Sequence, residues 1–256
     1  MKHVKSEKGF TLVELAIVMT IIGLLIGGIL KGQELMENAR VTSTISQVKS
    51  YEAAVTTFQD TYNALPGDMA NAATRLPNCV AACNSTDAGP GNGIVGTVNG
   101  VATAQAAVTN EPTLFWTHLL LANLISGVTP EVITTPATAP IAWGESHPGA
   151  RINGGFHAKN GDGATALALS ASGVQPAGLT LVLQTAATGV PTAVLGGQPL
   201  SALRAAQIDR KMDDGKSATG QVIGYGMATC SNGGVGSDTY NEGQPGEDCG
   251  LFFRLR

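Results

Sequence analysis

The sequence is poor in charge: Asp, Glu, Lys and Arg make up 13% of its 256 residues, against roughly 25% in ordinary soluble domains. Aromatic residues are scarce at 5%. No stretch gathers basic side chains into a phosphate-neutralising patch, so a nucleic-acid partner is not indicated. Catalytic signatures are missing as well. There is no Gly-x-Ser-x-Gly elbow, no His-Glu-x-x-His pair and no EF-hand loop. Gly215-Lys216-Ser217 ends like a phosphate-binding loop, but Arg210 stands where that motif needs its first glycine. Gly91 to Gly96 spells Gly-x-Gly-x-x-Gly, yet Gly89-Pro90 before it and Thr97–Gly100 after it supply neither the strand nor the helix that a dinucleotide site requires. The chain therefore reads as a non-enzyme without a cofactor. Proline is absent between Phe10 and Leu65, which leaves that whole stretch free to be helical.

What is present is one long apolar run. From Phe10 to Leu30 the only charged residue is Glu14, and the run matches the ~20 residues of a membrane-spanning helix. Lys2, Lys5 and Lys8 precede it, with Glu7 among them. Lysines on that side favour a cytoplasmic N-terminus, although Lys31 and Arg40 beyond the run reduce the asymmetry. A secretory signal would have a shorter apolar core followed by a small-residue cleavage site. A carboxylate inside such a helix costs ~2.5–3.5 kcal/mol at mid-membrane and tends to be functional. Two readings of Glu14 stand together: a Thr11-x-x-Glu14 capping box, and a charge held for a partner helix. Gly23–Gly27 and Gly28–Gly32 form two Gly-x-x-x-Gly patterns that let helix backbones approach closely in lipid.

The short basic leader, Gly9-Phe10-Thr11-Leu12-Val13-Glu14 and the apolar run resemble the N-terminal signal of type IV prepilins and type II secretion pseudopilins. The resemblance implies a leader of residues 1–9, cleavage between Gly9 and Phe10 by a prepilin peptidase, and N-methylation of Phe10. It also implies that Glu14 pairs with the freed Phe10 ammonium of a neighbouring subunit during assembly. Removing the leader takes away a net +2, so a formal charge of −4 becomes −6.

Beyond Lys31, the residues Leu35, Ala39, Ile45, Val48, Val55, Phe58 and Tyr62 recur at helical spacing. One spine helix over 10–63, ending before Pro66-Gly67-Asp68, follows from this. Residues 64–108 read as loop. Glu111–Gly127 predicts a second helix with Leu114, Phe115, Leu119, Leu121, Ala122 and Ile125 on its apolar face, and His118 as a packed or surface residue. Pro199–Met212 predicts a third helix, with Leu200, Leu203 and Ile208 turned inward. Ala164–Ser170, Leu179–Leu183, Val222–Tyr225 and Leu251–Leu255 read as strands. The expected fold is α+β and pilin-like: the spine packs its outer half on a small antiparallel sheet, and residues 64–256 form the head.

Four cysteines allow three pairings. On the far side of the membrane from the N-terminus the compartment is oxidising, and the two local pairs, Cys230–Cys249 and Cys79–Cys83, are expected. The second spacing equally suits one helical turn. A zinc site would need matched pairs or nearby histidines, whereas His118, His147 and His157 are scattered. Asp238, Glu242, Glu247 and Asp248 lie in the Cys230–Cys249 loop and could offer oxygens to Ca2+, as a comparable loop does in some pseudopilins; a plain solvated loop is the alternative. Residues Ala206–Gly215 and Gly220–Val222 bear a looser likeness to the head segment of many pseudopilin-like proteins. The functional expectation is a structural subunit of a type IV pilus-like filament, made as an inner-membrane prepilin. Its partners would be copies of itself, related pilins and an inner-membrane assembly platform. A type II secretion pseudopilin, whose filament stays periplasmic, is one alternative. A membrane-anchored periplasmic binding or enzymatic domain is another.

Overall fold

The computed structural model describes residues 9–79, 83–84, 91–96, 110–129, 142–161, 163, 173–174, 176–185, 197–226, 229–232 and 238–255. The chain divides into two compact units, Met1–Arg40 and Val41–Arg256. Helix α1 runs from Leu12 to Tyr62, within two residues of the expected bounds at each end. It stops because Asn63 adopts a left-handed backbone (φ 47°) while its N–H still reaches Gln59 O at 2.8 Å. Asn tolerates that conformation, and Pro66 then bars any resumption.

From Val41 onward α1 buries a stripe of Val41, Thr44, Val48, Tyr51, Ala54, Val55 and Phe58, at the three- and four-residue steps of one helix face. The expected stripe is thus correct at Val48, Val55 and Phe58, and Ile45 and Tyr62 pack at its margin. It is wrong at Leu35 and Ala39, which are exposed. Tyr51 meets Trp116 edge-on with ring centroids 5.0 Å apart, and Phe156 at 5.6 Å.

Helix α2 is a single turn, Ala72–Arg75, inside a segment whose composition predicts only loop. Helix α3 spans Glu111–Leu121, and every residue from Glu111 to Leu119 is buried. A helix walled in on all sides explains why its apolar residues are not confined to one face. It ends six residues before Gly127 because Asn123 takes the left-handed position (φ 56°), with Leu124 N–H bonded to Leu119 O at 3.0 Å. Helix α4, Ala202–Met212, is capped by the Ser201 hydroxyl and turns Ala202, Ala205, Ala206, Ile208 and Asp209 inward. Leu203, expected inside, is 40% exposed, whereas Leu200 just before the cap is buried.

Among the described residues, four strands form one antiparallel sheet: β1 (Gly155–Gly161), β2 (Gly178–Gln184), β3 (Val222–Gly226) and β4 (Cys249–Arg254), in the order β1-β2-β4-β3. The last three coincide with expected strands. Strand β1 has no apolar run to betray it, and the strand expected at Ala164–Ser170 lies outside the described residues. One face of the sheet sends Phe156, Ala158, Leu181, Leu183, Val222, Leu251 and Phe253 into the main core with α1, α3 and α4. The other carries a second cluster of Val182, Ile223, Tyr225 and Phe252. Gly250 is required between these rings, since a Cβ there would strike the ring of Tyr225. Both edge strands are engaged by the head's own loops. Phe156 N–H binds Pro148 O and Asn160 N–H binds Val95 O along β1, and Gly224 N–H binds Ser217 O at 2.8 Å along β3.

Candidate functional site

Gly9 and Phe10 precede the first turn of α1 and are exposed, Phe10 at 89%. The turn is closed by a reciprocal cap. Glu14 N–H reaches Thr11 Oγ1 at 3.2 Å, while Glu14 Oε2 accepts from Thr11 N–H and from the Thr11 hydroxyl, both at 2.9 Å. The capping box thereby satisfies helix-start donors that have no carbonyl partner. It leaves the carboxylate at the helix N-terminus, beside the residue that cleavage would make the first.

The apolar side chains that follow have no cover. Leu12, Leu24, Ile29 and Leu30 are each exposed by 60% or more, and the most apolar 18-residue window has mean hydropathy 2.5 with none of it buried. This helix is long and apolar enough to cross a membrane. Nothing lies within 4 Å of where a Cβ would stand on Gly23, Gly27, Gly28 or Gly32, so the glycines serve no packing need inside the unit. Past the apolar run, Lys31 pairs with Glu34 at 2.7 Å and Arg40 with Glu37 at 3.5 Å.

In the head, the cysteines pair as expected. Cys79 joins Cys83 and Cys230 joins Cys249, with Cα atoms 5.8 Å and 5.1 Å apart. The second bridge fixes the start of β4, where Cys249 also exchanges backbone hydrogen bonds with Leu200 at 2.9 and 3.0 Å. The acidic residues of that loop do not converge. Asp238 and Glu247 are exposed, Asp248 is buried, and Glu242 forms an ion pair with Arg210. Among the described residues, the carboxylates that do meet are Asp209, Asp213 and Asp214.

Those three are occupied with holding the α4–β3 connection. Asp209 accepts from Tyr240 OH at 2.9 Å and from Gly215 N–H at 3.1 Å; Asp213 takes the N–H groups of Gln221 and Val222; Asp214 takes Lys216 N–H and the Thr219 hydroxyl. Burial pushes the Asp209 carboxyl up to about 7. The Ala206–Gly215 segment is thus a folded joint in this chain.

The glycine-rich loop also binds carboxylates, but two of the protein's own. Gly91, Asn92 and Gly93 direct their N–H groups at buried Asp68, and Gly96 N–H reaches buried Glu111 at 2.8 Å. His118, His147 and His157 are internal too. His118 accepts Gly67 N–H at Nδ1 (2.8 Å), which leaves Nε2–H to donate to Cys83 O at 2.9 Å. Burial lowers its pKa to about 4. His147 and His157 lie 3.3 Å apart, nitrogen to nitrogen, and His157 is lowered by burial to about 3.

Residues 4–30 match the family described as the prokaryotic N-terminal methylation motif. No curated protein and no solved structure matches the chain. The matched residues contain Gly9, Phe10, the Thr11–Glu14 cap and the uncovered apolar helix, and an α+β head follows them. This chain therefore carries the prepilin-type signal of type IV pilins and pseudopilins.

Proposed function

We propose that the protein is a structural subunit of a type IV pilus-like filament, cleaved after Gly9, methylated on Phe10 and assembled through the helix that begins there. The observation that carries this reading is the surface of that helix. Apolar side chains from Leu12 to Leu30 stand uncovered on all sides, and such a surface is stable only in lipid or against other helices. As a precursor the chain would sit in the bacterial inner membrane with its N-terminus in the cytoplasm. In the filament the same residues would form the core.

Glu14 has a second use in this scheme. A lone carboxylate in a helix bundle is costly, and so is a lone ammonium. Cleavage creates the Phe10 ammonium, and pairing it with Glu14 of the next subunit neutralises both charges. The head, with its histidines and its converging carboxylates engaged internally, is a module for packing and display rather than catalysis.

The test is N-terminal mass spectrometry together with imaging of sheared surface fractions from cells expressing a tagged copy. The expected result is a methylated Phe10 terminus and tagged filaments in the shear fraction. Retention of the leader in the mature protein would overturn the reading. A processed protein found only in short periplasmic filaments would replace the pilus with a secretion pseudopilus.

A further inference from the structure

The head contains an open groove. It lies wholly within the second unit, between α1 just beyond Val41 and the loop that follows α3, and has a volume of about 560 Å³. Its lining is hydroxyl, amide and guanidinium. Ser43 and Ser46 come from α1, Asn123 and Ser126 from the α3 loop, and Arg151 from the segment leading into β1. Among the described residues, none of these five side chains has a hydrogen-bond or ion-pair partner, and Arg151 acts on Tyr51 only through its charge.

The groove is held in shape by Gln47. Its Nε2 donates to Tyr51 OH and to Gly149 O, both at 2.8 Å, and its Oε1 accepts from the backbone N–H of Arg151 at 3.3 Å. One part-buried amide thus ties α1 to the backbone of Arg151, whose side chain lines the groove. Leu124 and Ile125 supply a small apolar wall. Asn123, in the left-handed conformation at the end of α3, also lines the groove.

We propose that this groove binds a uronic-acid sugar, with Arg151 taking the carboxylate and the serine and asparagine side chains taking ring hydroxyls. A planar guanidinium holds a carboxylate through two parallel hydrogen bonds. Neutral hydroxyls and amides match a ligand whose remaining groups are also hydroxyls, and the apolar wall suits the C–H face of the ring. The volume accommodates one or two sugar units. Arg151 as the one cation in the lining, on a chain of net charge −4, disfavours polyanions such as nucleic acid. A peptide fits less well, because its backbone would seek a sheet edge, and Phe156, Asn160 and Gly224 already spend edge groups on internal loops.

The proposal is independent of assembly and is tested on the full chain in detergent micelles. Titrations by calorimetry or ligand-observed NMR would use D-galacturonate, D-galactose, acetate, inorganic phosphate and a short peptide with a free C-terminus. Galacturonate should bind in the millimolar range and galactose more weakly. Arg151→Gln should weaken galacturonate about tenfold, Arg151→Lys should be intermediate, and Ser46→Trp should fill the groove. Arg151 is exposed, so its variants should melt at the parent temperature; if Ser46→Trp does not fold, the Arg151 pair decides alone. Acetate or phosphate binding as tightly as galacturonate would reduce the site to a bare anion contact and overturn the proposal. Tighter binding of the peptide, an unchanged affinity in Arg151→Gln, or no binding at all would overturn it equally.

Discussion

Residues Leu24 and Phe58 belong to one helix and are both strongly apolar, yet Leu24 is 78% exposed and Phe58 fully buried. In the first unit, apolar surface faces outward and the sole carboxylate of the apolar run is drawn into a cap. In the second, apolar surface faces inward, and polar groups such as Asp68, Glu111 and His118 are buried with specific partners. The same local physics, a helix with large aliphatic side chains, serves two solvents. The difference lies in what covers the surface: the head supplies its own cover, and the first unit leaves the task to lipid or to other chains.

The largest expected effect tests the first half of this contrast. Glu14→Gln keeps the size of the side chain and part of its hydrogen bonding while removing the charge. Membrane insertion should be intact, because the change removes a cost to a lone helix in lipid. Filaments in the shear fraction should be scarce or absent. Normal filament yield, with cleavage confirmed by mass spectrometry, would reduce Glu14 to its capping role.

A pair of truncations tests the contrast directly. Phe58→Ala should destabilise the head by about 3–5 kcal/mol through lost burial and a residual cavity. Leu24→Ala should leave the head's denaturant midpoint unchanged, since Leu24 has little cover to lose. Equal effects of the two on head unfolding would break the comparison.

The smallest effect concerns the buried polar groups. His118 and His157 have folded pKa values of about 4 and about 3, below the ordinary 6.5 of an exposed histidine. As pH falls through 6.5 the unfolded chain gains protons that the folded chain refuses, so stability declines down to the folded values. The full loss is on the order of 3 kcal/mol for His118 and 5 kcal/mol for His157. Asp209, raised to about 7, acts with the opposite sign: its contribution is present in acid and is lost as pH rises from about 4 to 7. His118→Gln should flatten the acid arm of a stability–pH curve, and Asp209→Asn should steepen it. An acid arm unaltered by His118→Gln would show that His118 is not buried as the neutral form.

The spine and strands β2, β3 and β4 were legible in the sequence because each is a run of one hydrophobic period. Strand β1, Gly155-Phe-His-Ala-Lys-Asn-Gly161, was not. Its outward residues His157 and Lys159 are polar yet buried, so alternation gives no sign of a covered second face. The end of α3 was misplaced because Gly127 is the stronger punctuation in sequence, whereas Asn123 reaches the left-handed conformation first. Leu203 misled for the reverse reason: alanines, not leucines, face the crowded side of α4. At the N-terminus, Gly9, Phe10, Thr11 and Glu14 are contiguous, so their chemistry can be read locally. The Arg151 groove draws its lining from three separated segments and has no local pattern to announce it.

The occupied sheet edges have a consequence for timing. Pilin-like precursors held side by side in one membrane collide constantly, and a sheet with an open edge would let such neighbours join by strand addition. Here Phe156, Asn160 and Gly224 have spent their N–H groups on loops of their own chain. At those positions a neighbouring head therefore finds no free donor for strand addition. On the proposed function, crowding of heads would not by itself start polymerisation, and the step that commits the chain to assembly would be removal of its leader.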